Sequence, residues 1–425
     1  MTAFLQKSFA WPACLAWHLR VIRIADPSPL AGIVWRVAIL TAVCLLLAGC
    51  AGNIRKAVPE TLASDAQVVG LEPGVRYWGD ESDQDFDAAL KEKYMQMRTT
   101  RPELFKPGLQ HTLNLLAISG GGPDGAFGAG LLVGWSAAGD RPEFEVVTGV
   151  STGALMAPFV FLGPKYDRQL KEMYTRYSTR DLLEAQVLAG LFGGPSIASS
   201  EPLYNIISSY VDEDFLKQVA REHNRGRRLM IGTTNLDAQR PVIWNMGKIA
   251  TISGPRALKL FRKILLASAS IPGVFPPVYI EVEVGGKIRK EMHVDGGTTD
   301  NAFFLPMQVR LSKHLDAKQA NFKRRLFVIV NNKTNPEYEQ VKPNTISIAT
   351  RSISTLIKQQ TVADVFKLYE FSRRNGIDFN LAYVPQTFKA KSEEPFDAKY
   401  MTALFETGYA LGAKGYSWQK TMHGF

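Results

Sequence analysis

Sulfur and imidazole are both scarce in this chain. Of its 425 residues three are cysteine, and Cys14, Cys44 and Cys50 all fall near the amino-terminal end, so no disulfide framework holds the body of the protein together. The six histidines are scattered from His18 to His423, and no Cys/His group has metal-ligand spacing, from which we expect neither metal nor cofactor. Internal repeats, heptads and low-complexity tracts are missing, which excludes solenoids and coiled coils. The apolar run Val37–Leu47 covers eleven residues, whereas about 20 are needed to cross a bilayer. No motif of a nucleic-acid reader is present either, so no nucleic-acid partner is expected. What the chain does have is a globular composition, 46% hydrophobic and 21% charged, with enough length to bury a sizeable core.

Its most informative segment is Gly149-Val150-Ser151-Thr152-Gly153. Phe144, Val146 and Val147 give it a strand-like entry, and Thr152 to Phe161, rich in Ala, Leu and Met, continue as a helix. A chain that leaves a strand, turns around a strained serine and starts a helix has no room for side chains two residues either side, so the spacing is that of a nucleophile elbow. The helix N-terminus beyond it favours negative charge at the serine. An ordinary tight strand-to-helix turn gives the same pattern, so the neighbouring segments decide.

Two of them supply the rest of an acyl-transfer site. Leu113–Ile118 reads as a buried strand running into Ser119-Gly120-Gly121-Gly122-Pro123-Asp124-Gly125. A tetrahedral oxyanion needs preorganised donors, and a glycine run exposes bare N–H groups; since Pro123 has none, the donors are expected from Gly120, Gly121 and Gly122. The run lacks the Gly-Lys-Ser/Thr ending of a phosphate-binding loop and the distant acidic residue of a dinucleotide site. Beyond the serine by 144 positions, Glu291–Val294 lead into Asp295-Gly296-Gly297. An aspartate ending a strand and followed by glycines can reach a site at the sheet's carboxyl edge, where it could act as general base without histidine.

In these motifs, and in Ala267–Pro277 with its small residues and prolines, the chain resembles the patatin-like phospholipases from about Asn114 to Pro306. The resemblance implies Ser151 as nucleophile, Asp295 as base, Gly120 to Gly122 as oxyanion donors, and Gly149 and Gly153 as the elbow. It further implies a lipid acyl hydrolase of the phospholipase A, lysophospholipase or esterase kind, acting through an acyl-enzyme without metal or cofactor. Two positions depart from the family: Ser119 stands where plant patatins and many relatives carry Asp, and Asp124 where they carry Arg or Lys. The competing readings are a Ser-His-Asp esterase or thioesterase using His293 or His314, and a catalytically silent envelope lipoprotein that binds lipid.

Leu47-Ala48-Gly49-Cys50 matches the processing box of bacterial lipoproteins. That implies cleavage before Cys50, lipidation there, and attachment to the cell envelope; with Ala51 following the cysteine, the outer membrane is the expected location. The expected organisation is a leader with a long basic start over 1–49, a lipidated tether and accessory helix over 50–110, a catalytic core over 111–308, and an α/β completion of the same domain over 309–425. Phe86, Leu90, Tyr94 and Met97 mark one face of the accessory helix, while Val58–Gly74 has little periodicity and reads as the tether. Gly285-Gly286 signals a hairpin ending at Asp295. The interrupted alternation of strands and helices predicts a three-layer α/β/α sandwich around a mixed, largely parallel sheet.

Overall fold

The computed structural model describes residues 55–422 apart from 82–83, 107, 109, 186–195, 197 and 306–321. The leader, Cys50, His314 and His423 lie outside the described residues. The chain divides after Arg55, and the fold described is that of the unit beginning at Lys56.

Its strands, in chain order, are β1 (Gln67–Val68), β2 (Arg76–Trp78), β3 (His111–Ile118), β4 (Val146–Val150), β5 (Glu184–Ala185) and β6 (Ala198–Ser199). They continue with β7 (Arg228–Asn235), β8 (Arg240–Asn245), β9 (Val278–Val284), β10 (Lys287–Asp295), β11 (Phe322–Val330) and β12 (Asp378–Tyr383). Apart from the small β5–β6 pair, all belong to one sheet ordered β1-β9-β10-β7-β4-β3-β11-β12, with β8 and then β2 added at β7. The stretch β7-β4-β3-β11-β12 is parallel throughout, and β10, β9, β1, β8 and β2 attach antiparallel.

The parallel strands are apolar on both faces because both are covered. Leu116, Ile118, Phe327 and Ile329 point into one core with the helices Gly125–Ala137, Thr152–Leu162, Pro255–Ser268 and Ala398–Ala413. Leu115, Ala117, Leu326, Val328 and Val330 point into the other, closed by Gln84–Thr100 and Thr345–Arg374. The molecule is thus a three-layer α/β/α sandwich, as its alternation predicts. By contrast β9 alternates, with Val278, Ile280, Val282 and Val284 buried and Tyr279, Glu281 and Glu283 exposed, as suits a strand covered on one face. It joins β10 through Gly285 and Gly286, whose φ values of 56° and 66° fit a two-residue hairpin turn.

On the first face, Gly125–Ala137 crosses Ala398–Ala413 with almost nothing between the backbones. A Cβ on Gly130 would lie 2.0 Å from the Phe405 carbonyl oxygen, and one on Gly412 would lie 2.3 Å from that of Leu131. One stretch differs from its sequence reading. Val58–Gly74 does not lead away from the body: β1 within it pairs with β9, and β2 just after it pairs with β8. With two and three residues these strands are too short to carry a period, yet Val68, Val75 and Tyr77 are buried.

One detail of the sheet positions the site. β8 pairs along β7 from Met230 to Asn235, so β4, which pairs with Arg228–Gly232, and β10, which pairs with Thr233–Asn235, share the opposite edge of β7. Running in opposite directions, they meet end to end, with Val150 opposite Gly232 and Asp295 opposite Thr233.

Candidate active site

That junction holds the serine and the aspartate. Ser151 follows the last residue of β4 and adopts φ 54°, ψ −124°, a conformation that costs a non-glycine residue about 1 to 3 kcal/mol. Sterics explain the flanking glycines: a Cβ on Gly149 would sit 2.4 Å from the Gly153 carbonyl oxygen, and one on Gly153 would sit 2.4 Å from that of Ile118. The Ser151 N–H donates to Ser268 Oγ at 3.0 Å, and that hydroxyl donates to the Gly232 carbonyl at 2.6 Å.

Asp295 closes β10 and is 3% exposed. Its N–H donates to the Ser270 carbonyl at 2.9 Å, and Oδ1 accepts the Gly297 N–H at 2.8 Å. The other oxygen, Oδ2, is buried without a hydrogen-bond partner among the described residues. Burial pushes the carboxyl up to about 7, against the opposing pull of the Ser151 hydroxyl and the Gly297 N–H. Such a group can take a proton from a neighbouring hydroxyl near neutral pH. Ser268 and Ser270, from the segment of small residues, therefore brace both partners.

The glycine loop is fastened beside them. Gly120, expected as an oxyanion donor, spends its N–H on the Asn301 carbonyl at 3.0 Å. This corrects the sequence reading: the N–H groups of Gly121 and Gly122 remain without an acceptor among the described residues, and Gly122 lines the cleft with Ser151. A Cβ on Gly120 would meet Asn301 Oδ1 at 2.2 Å and Ser151 Cβ at 3.0 Å, so the loop lies tight against the serine. Asn301 is itself held, its N–H by Asp364 Oδ2 and its side-chain amide by Thr361 Oγ1, both at 2.6 Å. Asn331 donates through its amide nitrogen to the Ser119 carbonyl at 2.9 Å and accepts the Gly128 N–H at 3.1 Å. Ser119 Oγ accepts the Asn331 N–H at 2.9 Å. Of these supports only Ser119 was singled out from sequence, and without this role. The signal available was a buried asparagine directly after an apolar strand at 331, and a second one closing the Asp295 loop at 301.

Asp124, at the end of the glycine loop, accepts a hydrogen bond from Tyr400 Oη at 2.6 Å. Burial raises its carboxyl to about 6, with Tyr400 opposing and Glu337 adding to the rise. The residue ties the loop to the Ala398–Ala413 helix.

His293 lies apart from this constellation. It is fully buried, with Nδ1 3.0 Å from Thr233 Oγ1 and Nε2 3.1 Å from Glu291 Oε2, and Arg76 pairs with the same glutamate. No histidine among the described residues is hydrogen bonded to Ser151 or Asp295. No group of three or more His, Cys, Asp or Glu among them could hold a metal ion, and no described helix is long and apolar enough to cross a membrane. Beside Ser151 opens a cleft walled by Leu155, Met173, Leu203, Ile207, Phe275 and Met401.

Residues 116–308 match the family model of the patatin-like phospholipases. Among solved structures, VipD from Legionella pneumophila is similar over 72% of this chain and 67% of its own, at 11% identity and a TM-score of 0.36. No curated protein matches the chain.

Proposed function

We propose that this chain, which carries a patatin-like phospholipase domain over residues 116–308, is a serine acyl hydrolase that cleaves fatty acyl esters of lipids through a Ser151–Asp295 dyad. The family supports lipid hydrolysis in general; the observation that carries the finer reading is the buried Asp295 carboxyl, on which the Ser151 hydroxyl and the Gly297 N–H are the groups that act, at the junction where Ser151 stands in a strained elbow. Asp295 takes the hydroxyl proton as Ser151 Oγ attacks the acyl carbon, and the Gly121 and Gly122 N–H groups receive the oxyanion. The intermediate collapses, Asp295 returns the proton to the leaving alcohol, and the acyl group stays on Ser151. A water molecule, deprotonated by Asp295, then attacks this ester; its proton passes to Ser151 Oγ, and the fatty acid leaves. The apolar cleft suits an acyl chain, and the reaction calls on no metal.

Substrate class and location complete the proposal: a phospholipid or lysophospholipid, met at the envelope by a protein lipidated at Cys50. The test is fatty-acid release from mixed phospholipids and p-nitrophenyl esters, with EDTA, by the full chain in detergent. Release that disappears in Ser151→Ala and Asp295→Asn, with fluorophosphonate labelling lost in Ser151→Ala, is the expected outcome. Absence of both release and labelling in folded protein would overturn it in favour of a lipid-binding role. Radioactive palmitate incorporated in a bacterial host, and lost in Cys50→Ser, is expected of the anchor; incorporation that persists would reject it.

A further inference from the structure

A second cavity lies at the amino ends of β3, β4, β7 and β11, under the helix Gln84–Thr100. Ser151 is at the other end of β4, roughly 15 Å away at about 3.3 Å per residue. The cavity's walls are apolar, among them Leu90, Leu113, Leu115, Met230, Phe304 and Phe322. Its polar groups are nearly all donors. Arg228 Nη2 and Tyr94 Oη are buried without a partner among the described residues, although buried donors are normally satisfied. Lys93 Nζ donates to Met97 Sδ at 3.0 Å, a weak acceptor, and to no oxygen among the described residues. Arg324 lines the same space. The carboxylate that acts on Lys93 is Glu145, and both of its oxygens are already taken by Arg101, at 2.9 and 2.5 Å. Burial lowers Lys93 to about 7, opposed by Glu145 and reinforced by Arg228, Arg101 and Arg324. Glu92 acts likewise on Arg228, so two carboxylates stand against the four cations Lys93, Arg101, Arg228 and Arg324, and part of the positive charge is desolvated without an anion of its own.

Apolar walls, surplus donors and unbalanced positive charge together select an amphiphile with an anionic head. We propose that this cavity binds a single-chain fatty carboxylate, its head meeting Lys93, Tyr94 and Arg228 and its chain lying among the aliphatic and aromatic walls. The inference rests on the cavity's own chemistry, and the hydrolysis proposed above would release ligands of this class.

The test uses the full chain in detergent, with laurate as the probe and dodecylamine as its cationic counterpart, followed by calorimetry. A diazirine analogue of laurate, photolysed and mapped by peptide, locates the bound chain. Laurate is expected to bind at least tenfold more tightly than dodecylamine, to label peptides containing Leu90 or Phe322, to lose at least tenfold in affinity in Lys93→Met, and to lose about threefold in Arg324→Gln, whose guanidinium adds to the positive field without meeting the head. Circular dichroism of both variants separates lost binding from lost folding, and Arg324, which is partly exposed, is the safer of the two. Labels confined to the Ser151 cleft, equal binding of dodecylamine, or unchanged affinity in both folded variants would overturn the proposal. Because no turnover is measured, a failed hydrolase assay and a failed binding assay are separate results.

Discussion

Asp295 is a carboxyl held where ionisation is costly, and two measurable consequences follow from that one residue. With its proton affinity raised by burial to about 7, kcat/KM for ester hydrolysis should rise with pH through an apparent pKa near 7, and Asp295→Asn should lose at least about 10³-fold. A flat pH profile would remove Asp295 as the base. The same shift makes the folded carboxyl keep its proton to higher pH than the unfolded one does. The stability it contributes is therefore fully present below about pH 4 and is lost as pH rises through about 7. Asp295→Asn stays neutral, so it should be more stable than the parent by roughly 2 to 4 kcal/mol at pH 8, with the gap closing toward pH 4. Thermal melts at the two pH values check this. His293 makes the opposite case, since its ring nitrogens face Thr233 and Glu291. His293→Gln should lower the melting temperature yet leave the fluorophosphonate labelling rate within about threefold; a hundredfold loss in folded protein would restore a triad. Ser151 and Asp295 were legible because steric rules fix the residues around them. Ser268, Asn301, Asn331 and Asp364 were not, because each acts through hydrogen bonds to partners far away in sequence, where no local spacing records them.

Elements were legible in proportion to their length and regularity. The helix Gln84–Thr100 and the Val278–Asp295 hairpin follow their sequence patterns closely, because each carries several repeats of its own period. β1 and β2 carry none, and only pairing with β9 and β8 defines them. The glycines of Gly125–Ala137 read as a helix start after an oxyanion loop, whereas their second role, close approach to Ala398–Ala413, depends on a partner more than 260 positions away. Gly412→Ala puts a methyl against the Leu131 carbonyl and should destabilise the protein by about 1 to 3 kcal/mol in urea unfolding. An unchanged midpoint would mean that the two helices part without cost.

For the whole molecule, the layered architecture could be read from the alternation of strands and helices, but the order of strands in the sheet could not, since several long crossovers are compatible with one alternation. The amino-terminal boundary of the fold is likewise a property of packing. A chain starting at Asp80 loses Val68, Val75 and Tyr77 from the cores and should melt several degrees lower than one starting at Lys56, or aggregate. Equal melting of the two truncated chains would make β1 and β2 dispensable. The end-to-end meeting of β4 and β10 on one edge of β7 also bears on how the protein reaches its working state. Three strands spread over about 150 residues must dock before Asp295 stands beside Ser151, and contacts of such sequence separation form late and slowly. Reactivity of Ser151 during refolding therefore reports completion of the central sheet, arriving after collapse and helix formation, and a refolding time course followed by active-site labelling would time the last strand into place.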